Sequence, residues 1–349
     1  MDHIPAPTPD SAAAPAAAAR ERGWRLILPA LGLFLLVPAF AALRVLVPVE
    51  QTIVLVGPAI GVCALVAWVQ GGRVWLALTW LALSAWMLLR PLGSASAFEF
   101  MARGWAIVLV SMFGIACMLG GRRVFLSRAL SAVAATFMFA GAVVLVSDVS
   151  PGRVQRTLAD ELDRRAAPLN AQVQATTMAA EWQDFAASNP RFAALVEQML
   201  ESWNRMPDVT VSFFPALLAL ESLAALALAW GLFHRISRTR LGPPLTRLRD
   251  FRFGDQLVWG LLVGIVLVVI PTLDALRGLG FNLILFFGAL YVLRGLGVLA
   301  WFIAERRLAL AILILLALLF TPAVGILALA LGLGDTWVDW RGRARQQPT

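Results

Sequence analysis

The sequence has few of the side chains that build disulfide, zinc or other metal sites. It contains two cysteines, Cys63 and Cys117, and two histidines, His3 and His234, which are isolated from one another. Both cysteines fall inside apolar runs. A disulfide framework or a zinc site needs several such residues at defined spacings. We therefore expect no metal and no cofactor.

Lysine is absent and charged residues are scarce. All 29 basic residues are arginine, which reflects a GC-rich genome rather than a binding site. Charged types make up 14% of the chain and hydrophobic types 60%, and the mean hydropathy is +0.79. Soluble domains are about half apolar and about a quarter charged. Because one water-soluble core of this size cannot hide so much apolar side chain, the sequence predicts an integral membrane protein.

The motifs of common enzyme classes are missing as well. The sequence contains no P-loop, no H-E-x-x-H zinc motif and no G-x-S-x-G nucleophile motif. An intramembrane protease or a lipid transferase needs several polar catalytic groups facing water, and the apolar runs contain few of them. We therefore predict no catalytic residues, and an enzyme acting on lipids ranks last among the functions considered.

Apolar runs long enough to approach the span of a bilayer recur along the chain, since a spanning helix needs about 20 mostly apolar residues. The nine runs cover about 26–43, 52–70, 74–89, 105–119, 129–146, 211–233, 257–273, 281–303 and 308–333. Backbone groups in lipid must be paired within the segment, so the runs should be helical. We predict an all-α bundle of about nine spanning helices. The ninth run contains Pro322 and is either one kinked helix or a re-entrant hairpin.

The predicted spans divide the chain into five parts. These are a Pro- and Ala-rich tail at 1–23 that we expect to be disordered, helices one to five at 24–146, a long loop at 147–210, helices six to nine at 211–340, and a tail at 341–349.

Ala39-Phe40-Ala41 resembles a signal-peptidase site, but the run before it is long for a signal peptide. We therefore predict that the first helix is retained.

Arginine in the short loops predicts the orientation. With the N-terminus in the cytoplasm, fifteen arginines lie inside and seven lie in the short outside segments and the C-terminal tail. We therefore predict a bacterial inner-membrane protein with a cytoplasmic N-terminus. The three arginines of the C-terminal tail favour a cytoplasmic C-terminus, whereas nine crossings would place it on the outer side. The sequence therefore leaves both sides possible for the C-terminus.

The loop 147–210 is net acidic and has helical periodicity. Val154, Leu158 and Leu162 form a short apolar stripe, and a longer one consists of Phe192, Leu195, Val196, Met199, Leu200 and Trp203. Pro190 is a plausible start of the second helix and Pro207 a plausible stop. We predict an amphipathic helical insertion outside the cytoplasm. It rests on the membrane surface or the bundle, or it forms a lid over a substrate cavity.

Three segments of the C-terminal half carry a resemblance to a known family. They are LRDFRF at 248–253, the run from Asn282 to Val298 that contains LYVLRGLGV, and GLGD at 332–335 followed by Asp339-Trp340-Arg341. Over about 210–345 the chain resembles the YybS-like family of predicted bacterial membrane proteins, a domain of unknown function. The resemblance implies a looser similarity, in fold only, to the substrate-binding subunits of energy-coupling-factor transporters.

Ionisable groups within spanning helices are functional candidates because each costs about 2.5–3.5 kcal/mol at the helix centre. Glu221 lies near the middle of the sixth span and Arg294 near the middle of the eighth. Their opposite charges predict an ion pair. The pair has either a functional role, in proton coupling or anion binding, or a structural role in setting the helix register. Asn282 and Tyr291 of the eighth span complete the candidate solute-binding residues, with ordinary helix packing as the alternative role.

Two further patterns predict structural roles. The GxxxG motifs Gly57–Gly61 and Gly260–Gly264 favour helix packing within the chain over dimerisation. Asp335 and Asp339 lie just beyond the last predicted span, and we expect them to pair with arginines such as Arg341 rather than to bind a cation.

The leading functional interpretation is binding or translocation of a small solute, because of the embedded charges and the lid-like loop. The alternative is a non-catalytic membrane scaffold that docks a protein partner through Arg247, Arg249 and Arg252, which could equally contact anionic lipid headgroups. Membrane lipids, a membrane protein and a small solute are therefore the expected partners. The net charge of +8 does not indicate nucleic acid, because the arginines lie between spans.

Overall fold

The computed structural model describes residues 23–90, 96–121, 123–147, 149–303, 315 and 320–346, and the regular elements within these ranges are helical. The helices are α1 (Trp24–Leu36), α2 (Ala41–Arg44), α3 (Ile53–Val69), α4 (Val74–Leu89), α5 (Ala97–Leu119), α6 (Phe125–Val146), α7 (Pro151–Met178), α8 (Ala180–Ser188), α9 (Pro190–Asn204), α10 (Met206–Ile236), α11 (Val258–Val269), α12 (Arg277–Ile303), α13 (Thr321–Val338) and α14 (Trp340–Gln346). The all-α prediction is confirmed for this part of the chain. Almost all of the predicted N-terminal tail, and most of the ninth run before Phe320, lie outside the described residues.

Within the described residues, five helical segments are long and apolar enough to cross a membrane. They are α5, α6, α10, α12 together with the 3-10 turn before it, and α13. Four shorter apolar segments cover 24–39, 53–69, 74–89 and 255–269. These segments correspond to the nine predicted runs, so the helical membrane bundle is confirmed, while the number of crossings stays a prediction.

Pro322, which the sequence places in the ninth predicted run, lies in the first turn of a helix. α13 starts at Thr321 with Pro322 in its first turn, so Pro322 opens a helix instead of lying in the middle of one. Proline suits this position because the first helical residues have no intrahelical partner for an N–H group. The helix continues to Val338 and ends at Asp339, whose φ of 44° is left-handed. After this turn, Arg341 of α14 lies beside Asp335.

α3 lies at the centre of the N-terminal half. Its sequence is apolar on all faces, which is the pattern of a helix enclosed by other helices, and α4, α5 and α10 pack around it. A Cβ on Gly57 would overlap Met87, and one on Gly61 would overlap Ser84, both on α4. The first GxxxG motif therefore packs within the chain.

α12 has the corresponding role in the C-terminal half, where it packs against α10, α11 and α13. The second GxxxG motif lies on α11 and faces α12, because a Cβ on Gly264 would crowd Gly280 and one on Gly260 would overlap Phe287. Both motifs thus have the internal packing role that the sequence predicts.

The insertion between α6 and α10 folds into three helices, of which α7 lies on the bundle. The buried Arg165 of α7 donates to Glu161 at 2.9 Å and to the carbonyl oxygen of Val47 at 2.8 Å. α9 begins at Pro190 as predicted, whereas Pro207 opens α10 instead of ending α9. α7 therefore packs against the spanning helices α5 and α10.

The predicted stripe on α9 is divided between two environments. Val196 and Leu200 line a groove beside α7, whereas Phe192, Leu195 and Met199 are exposed. The stripe is thus only partly covered by the described chain.

Candidate functional site

The three segments that carry the family resemblance meet at one buried charge cluster. Arg294 of α12 donates through Nε to Oδ2 of Asp335 at 3.0 Å. Arg341 of α14 donates through Nη2 to the same oxygen at 2.6 Å. The three side chains are at most 4% exposed. One carboxylate therefore lies between two guanidinium groups inside the protein.

The basic loop before α11 completes the cluster with its backbone. Arg341 donates to the carbonyl oxygens of Arg249 at 2.9 Å and Phe251 at 3.2 Å. Arg294 donates to Asp255 at 3.2 Å, and its guanidinium carbon lies 5.3 Å from the ring centre of Phe253. These contacts fix the path of the loop against α12.

An outer ion pair balances the charge of this cluster. Arg252 pairs with Asp339, and this hydrogen bond holds the pKa of Asp339 below its ordinary value. The cluster then contains three acidic residues and three arginines. The acidic residues are Asp255, Asp335 and Asp339, and the arginines are Arg252, Arg294 and Arg341. A balanced cluster stabilises the junction of loop and helices and offers little attraction to an anion.

The predicted ion pair between Glu221 and Arg294 is wrong. Arg294 pairs with Asp335 and Asp255, while Glu221 accepts a hydrogen bond from the backbone N–H of Val49 at 2.9 Å. The sequence placed Asp335 beyond the last span, but α13 extends past it and presents it to α12. The expected pairing of Asp335 with Arg341 is confirmed.

Asn282 joins α12 to α10 at a proline. Its Oδ1 accepts from the N–H of Ala216 at 3.0 Å, and its Nδ2 donates to the carbonyl oxygen of Ser212 at 2.9 Å. An unbroken α-helix would pair these two backbone groups with each other, and Pro215 lies between them. The side chain thus satisfies groups that the proline disturbs, which supports the packing role.

Tyr291 lies beside the charge cluster and is fully buried. Its ring meets that of Phe253 edge to face, with 5.1 Å between the ring centres. Since Arg294 approaches the same phenylalanine, Tyr291 and Arg294 share a face of α12 as predicted. They hold the loop and do not line any of the cavities described below.

The candidate partner-binding arginines lie in different settings. Arg247 is exposed, and Arg249, with 43% of its side chain exposed, pairs with the neighbouring Asp250 at 3.6 Å. Arg252 is held by Asp339. The three residues do not form one uniform surface, because Arg252 is tied to a distant part of the chain, Arg249 pairs with its neighbour and Arg247 is exposed.

A cavity of about 430 Å³ lies between α5, α6 and α10. Its wall is mostly apolar and includes Trp105, Val108, Phe137, Ala140, Phe214 and Leu218. Val154 and Leu158 of α7 close one side. The polar groups at the wall have partners, since Trp105 donates to Ser222 at 3.0 Å and Thr136 donates to the carbonyl oxygen of Ala132 at 2.8 Å. The space is therefore suited to an apolar molecule.

Sequence reasoning missed this cavity, although one signal for it was present. The short stripe that includes Val154 and Leu158 is the part of the insertion that faces the space. The longer stripe on α9 spans more turns and is the clearer amphipathic signal, yet α9 does not line the cavity. Within the insertion, α7 is thus the helix that contributes residues to the wall of this cavity.

Comparison with known proteins identifies one family. The model of the family described as Predicted membrane protein (DUF2232) matches residues 26–336. The match confirms the resemblance and extends it toward the N-terminus beyond the range 210–345. No curated protein and no solved structure matches the chain, so the similarity to energy-coupling-factor subunits stays a prediction. Because the match covers most of the chain, the protein belongs to this family of predicted membrane proteins.

Proposed function

We propose that this protein binds a small, largely apolar solute within the membrane and that α7 is the lid of the binding cavity. The observation that carries the proposal is the cavity of about 430 Å³ that Val154 and Leu158 of α7 cover. Small-molecule pockets usually measure about 300–1,000 Å³, so the volume suits a ligand. The match to an uncharacterised membrane family is consistent with such a role but names no solute.

The wall of the cavity supports an apolar ligand over a polar one. A polar solute would lose its hydrogen bonds to water, and the hydroxyl of Thr136 and the indole N–H of Trp105 already have acceptors. The aromatic rings of Trp105 and Phe137 lie 4.6 Å apart and give a broad surface for dispersion contacts. Shape and apolar contact would therefore provide most of the affinity.

The contacts of α7 support a lid with one fixed part. Arg165 anchors the helix to Val47 and packs over Phe98 at 4.9 Å, about two turns beyond Leu158. Val154 and Leu158 lie nearer the start of α7, close to the end of α6. Opening at this end would expose the cavity while the Arg165 contacts stay in place.

We place the protein in a bacterial inner membrane with its N-terminus in the cytoplasm, so that the lid lies outside the cytoplasm. The bias of fifteen arginines inside against seven outside supports this orientation. The solute would then enter from the outer side.

Filling the cavity should abolish binding. Gly104 lines the space, and a Cβ there would meet no atom within 4 Å, so Gly104→Leu adds bulk at the cavity wall at a position with room for the first side-chain atom. The probe is a diazirine-bearing octanol, photolysed on the purified full-length protein and mapped by peptide mass spectrometry. We expect wild-type labelling on α5 and α6, and a loss of about tenfold in the variant, equivalent to roughly 1.4 kcal/mol.

Gly141→Leu is the matched control for this experiment. Gly141 is also an exposed helical glycine with open space beside it, but it does not line the cavity. Its labelling should equal that of the wild type. Equal labelling of both variants would contradict the proposed site.

A second candidate function is docking of an acidic protein partner on the basic loop. Arg294 and Arg341 fix the loop backbone from inside, which leaves the side chains of Arg247 and Arg249 presented on a rigid support. Such preorganisation favours binding because little conformational freedom is lost.

Neutralising Arg247 and Arg249 tests the docking candidate. We expect Arg247→Gln/Arg249→Gln to lose any partner that co-purifies with the wild-type protein from crosslinked native membranes. Arg252 is left intact because it pairs with Asp339. Arg277→Gln, at the other end of α12, is the control and should retain the partner. A complex that survives the double substitution would remove this function.

A further inference from the structure

A second cavity lies on a different face of α10 and contains the buried carboxyl group of Glu221. It measures about 250 Å³ and is bounded by Leu217, Leu220 and Ala224 of α10 and by Phe34 and Pro48 from the start of the chain. The larger cavity contacts α10 through Phe214, Pro215 and Leu218 instead. The two spaces therefore have separate walls, and an inference about one does not depend on the other.

Glu221 has an unused hydrogen-bonding oxygen at this cavity. Its Oε2 accepts from the N–H of Val49, but Oε1 has no hydrogen-bond partner among the described residues, although the residue is only 9% exposed. Thr52 is the other lining residue with a polar side chain, and it donates its hydroxyl hydrogen to the carbonyl oxygen of Phe34 at 3.3 Å. The carboxyl oxygen is thus left for a group that enters the cavity.

The charge of Glu221 is not neutralised by a direct ion pair among the described residues. Arg165 is the nearby cation that influences it, but this guanidinium is engaged by Glu161 at 2.9 Å and by the carbonyl oxygen of Val47. An uncompensated carboxylate within a membrane is costly, so Glu221 must hold either a proton or a bound cation.

We propose that this cavity binds a small organic ammonium ion with an apolar body, whose N–H group donates to Oε1 of Glu221. The apolar walls match the body, and the carboxylate matches the charged end, in a charge-assisted hydrogen bond that is strong where water is excluded. An inorganic divalent cation does not suit the site. Such ions need about six oxygen ligands, and no cluster of three or more acidic, histidine or cysteine residues occurs in the described chain.

The test compares three octyl compounds that share one apolar body: octylammonium, octanol and octanoate. Each is titrated into full-length protein that carries Gly104→Leu, so that the larger cavity does not contribute adducts. The detergent is a neutral maltoside, and one-to-one adducts are counted by native mass spectrometry. We expect octylammonium to bind most tightly and octanoate least. Glu221→Gln keeps an oxygen that can accept from Val49 but removes the charge, and it should weaken octylammonium binding about tenfold or more.

Asp208→Asn is the matched control, because Asp208 is an exposed acid of the same helix that does not line the cavity. In the Gly104→Leu background it should bind octylammonium as the protein with Asp208 intact does. The proposal is overturned if octanol binds as tightly as octylammonium, if Glu221→Gln leaves octylammonium binding unchanged, or if none of the three forms a defined adduct. If Glu221→Gln does not fold, the comparison of ammonium and alcohol in the Gly104→Leu background with Glu221 intact still decides the question.

Discussion

Replacing Asp335 by leucine is expected to destabilise the protein by about 3–5 kcal/mol, the range for breaking a buried ion pair by removing one partner. Asp335 is fully buried, and its Oδ2 accepts from both Arg294 and Arg341. Leucine has a similar volume but leaves two guanidinium groups without this acceptor. The measurement is the midpoint of thermal unfolding in one detergent at a fixed heating rate.

Asp274→Leu is the control for this substitution. Asp274 also pairs with an arginine, Arg277, at 3.6 Å, but its side chain is 76% exposed. Exposed pairs contribute about 0–1 kcal/mol, so the midpoint should change little. An equal fall in both variants would contradict the importance of burial.

A triple variant separates lost charge from lost shape. In Arg294→Met/Asp335→Leu/Arg341→Met no charge of the central cluster remains buried, so the triple variant should unfold at a higher temperature than Asp335→Leu alone. If the triple variant is the less stable of the two, the hydrogen bonds of the arginines to the loop carbonyl oxygens contribute more than the unpaired charges cost.

Adding one methyl group at the contact of α12 and α13 is expected to destabilise the protein by about 3 kcal/mol, the upper end of the usual range for overpacking. A Cβ on Gly295 would overlap the carbonyl oxygen of Ala328, and a Cβ on Gly332 would overlap that of Tyr291. Backbone atoms cannot move aside as a flexible side chain can. Gly295→Ala and Gly332→Ala should therefore separate the helices and lower the thermal midpoint.

Each of these two helices also provides a control glycine. Gly288 of α12 and Gly325 of α13 have no atom within 4 Å of a Cβ position. Alanine is the better helix former by about 0.5–1 kcal/mol, so Gly288→Ala and Gly325→Ala should leave the midpoint unchanged or raise it. A similar fall in all four variants would show that the helices do not touch at Gly295 and Gly332.

These two results would also bear on the loop that carries Arg247 and Arg249. Arg341 donates to its carbonyl oxygens from α14, and Asp335 of α13 accepts from both Arg341 and Arg294, so the position of α13 affects how the loop is held. Loss of the glycine contact would therefore release the loop as well as the helix. Folding of the C-terminal half and presentation of the basic loop are linked through one cluster.

The sequence by itself determined the class of protein and its family. A segment enters the membrane because it is long and apolar enough, and both properties can be read directly from the linear sequence. The same holds for local relations, such as the shared face of Tyr291 and Arg294 and the pairing of Asp335 with Arg341 six residues later. Residues this close in the chain have few relative positions available.

Only the tertiary structure decided which distant residues meet. Arg294 lies 41 residues from Asp335, and Glu221 lies 172 residues from Val49. Hydropathy does not distinguish one neighbouring helix from another, because every spanning run is apolar. The choice depends on where backbones can approach, as at Gly295 and Gly332, and on the left-handed turn at Asp339 that returns Arg341 to the cluster. The two cavities beside α10 arise from the same packing, which is why no single stretch of sequence predicted them.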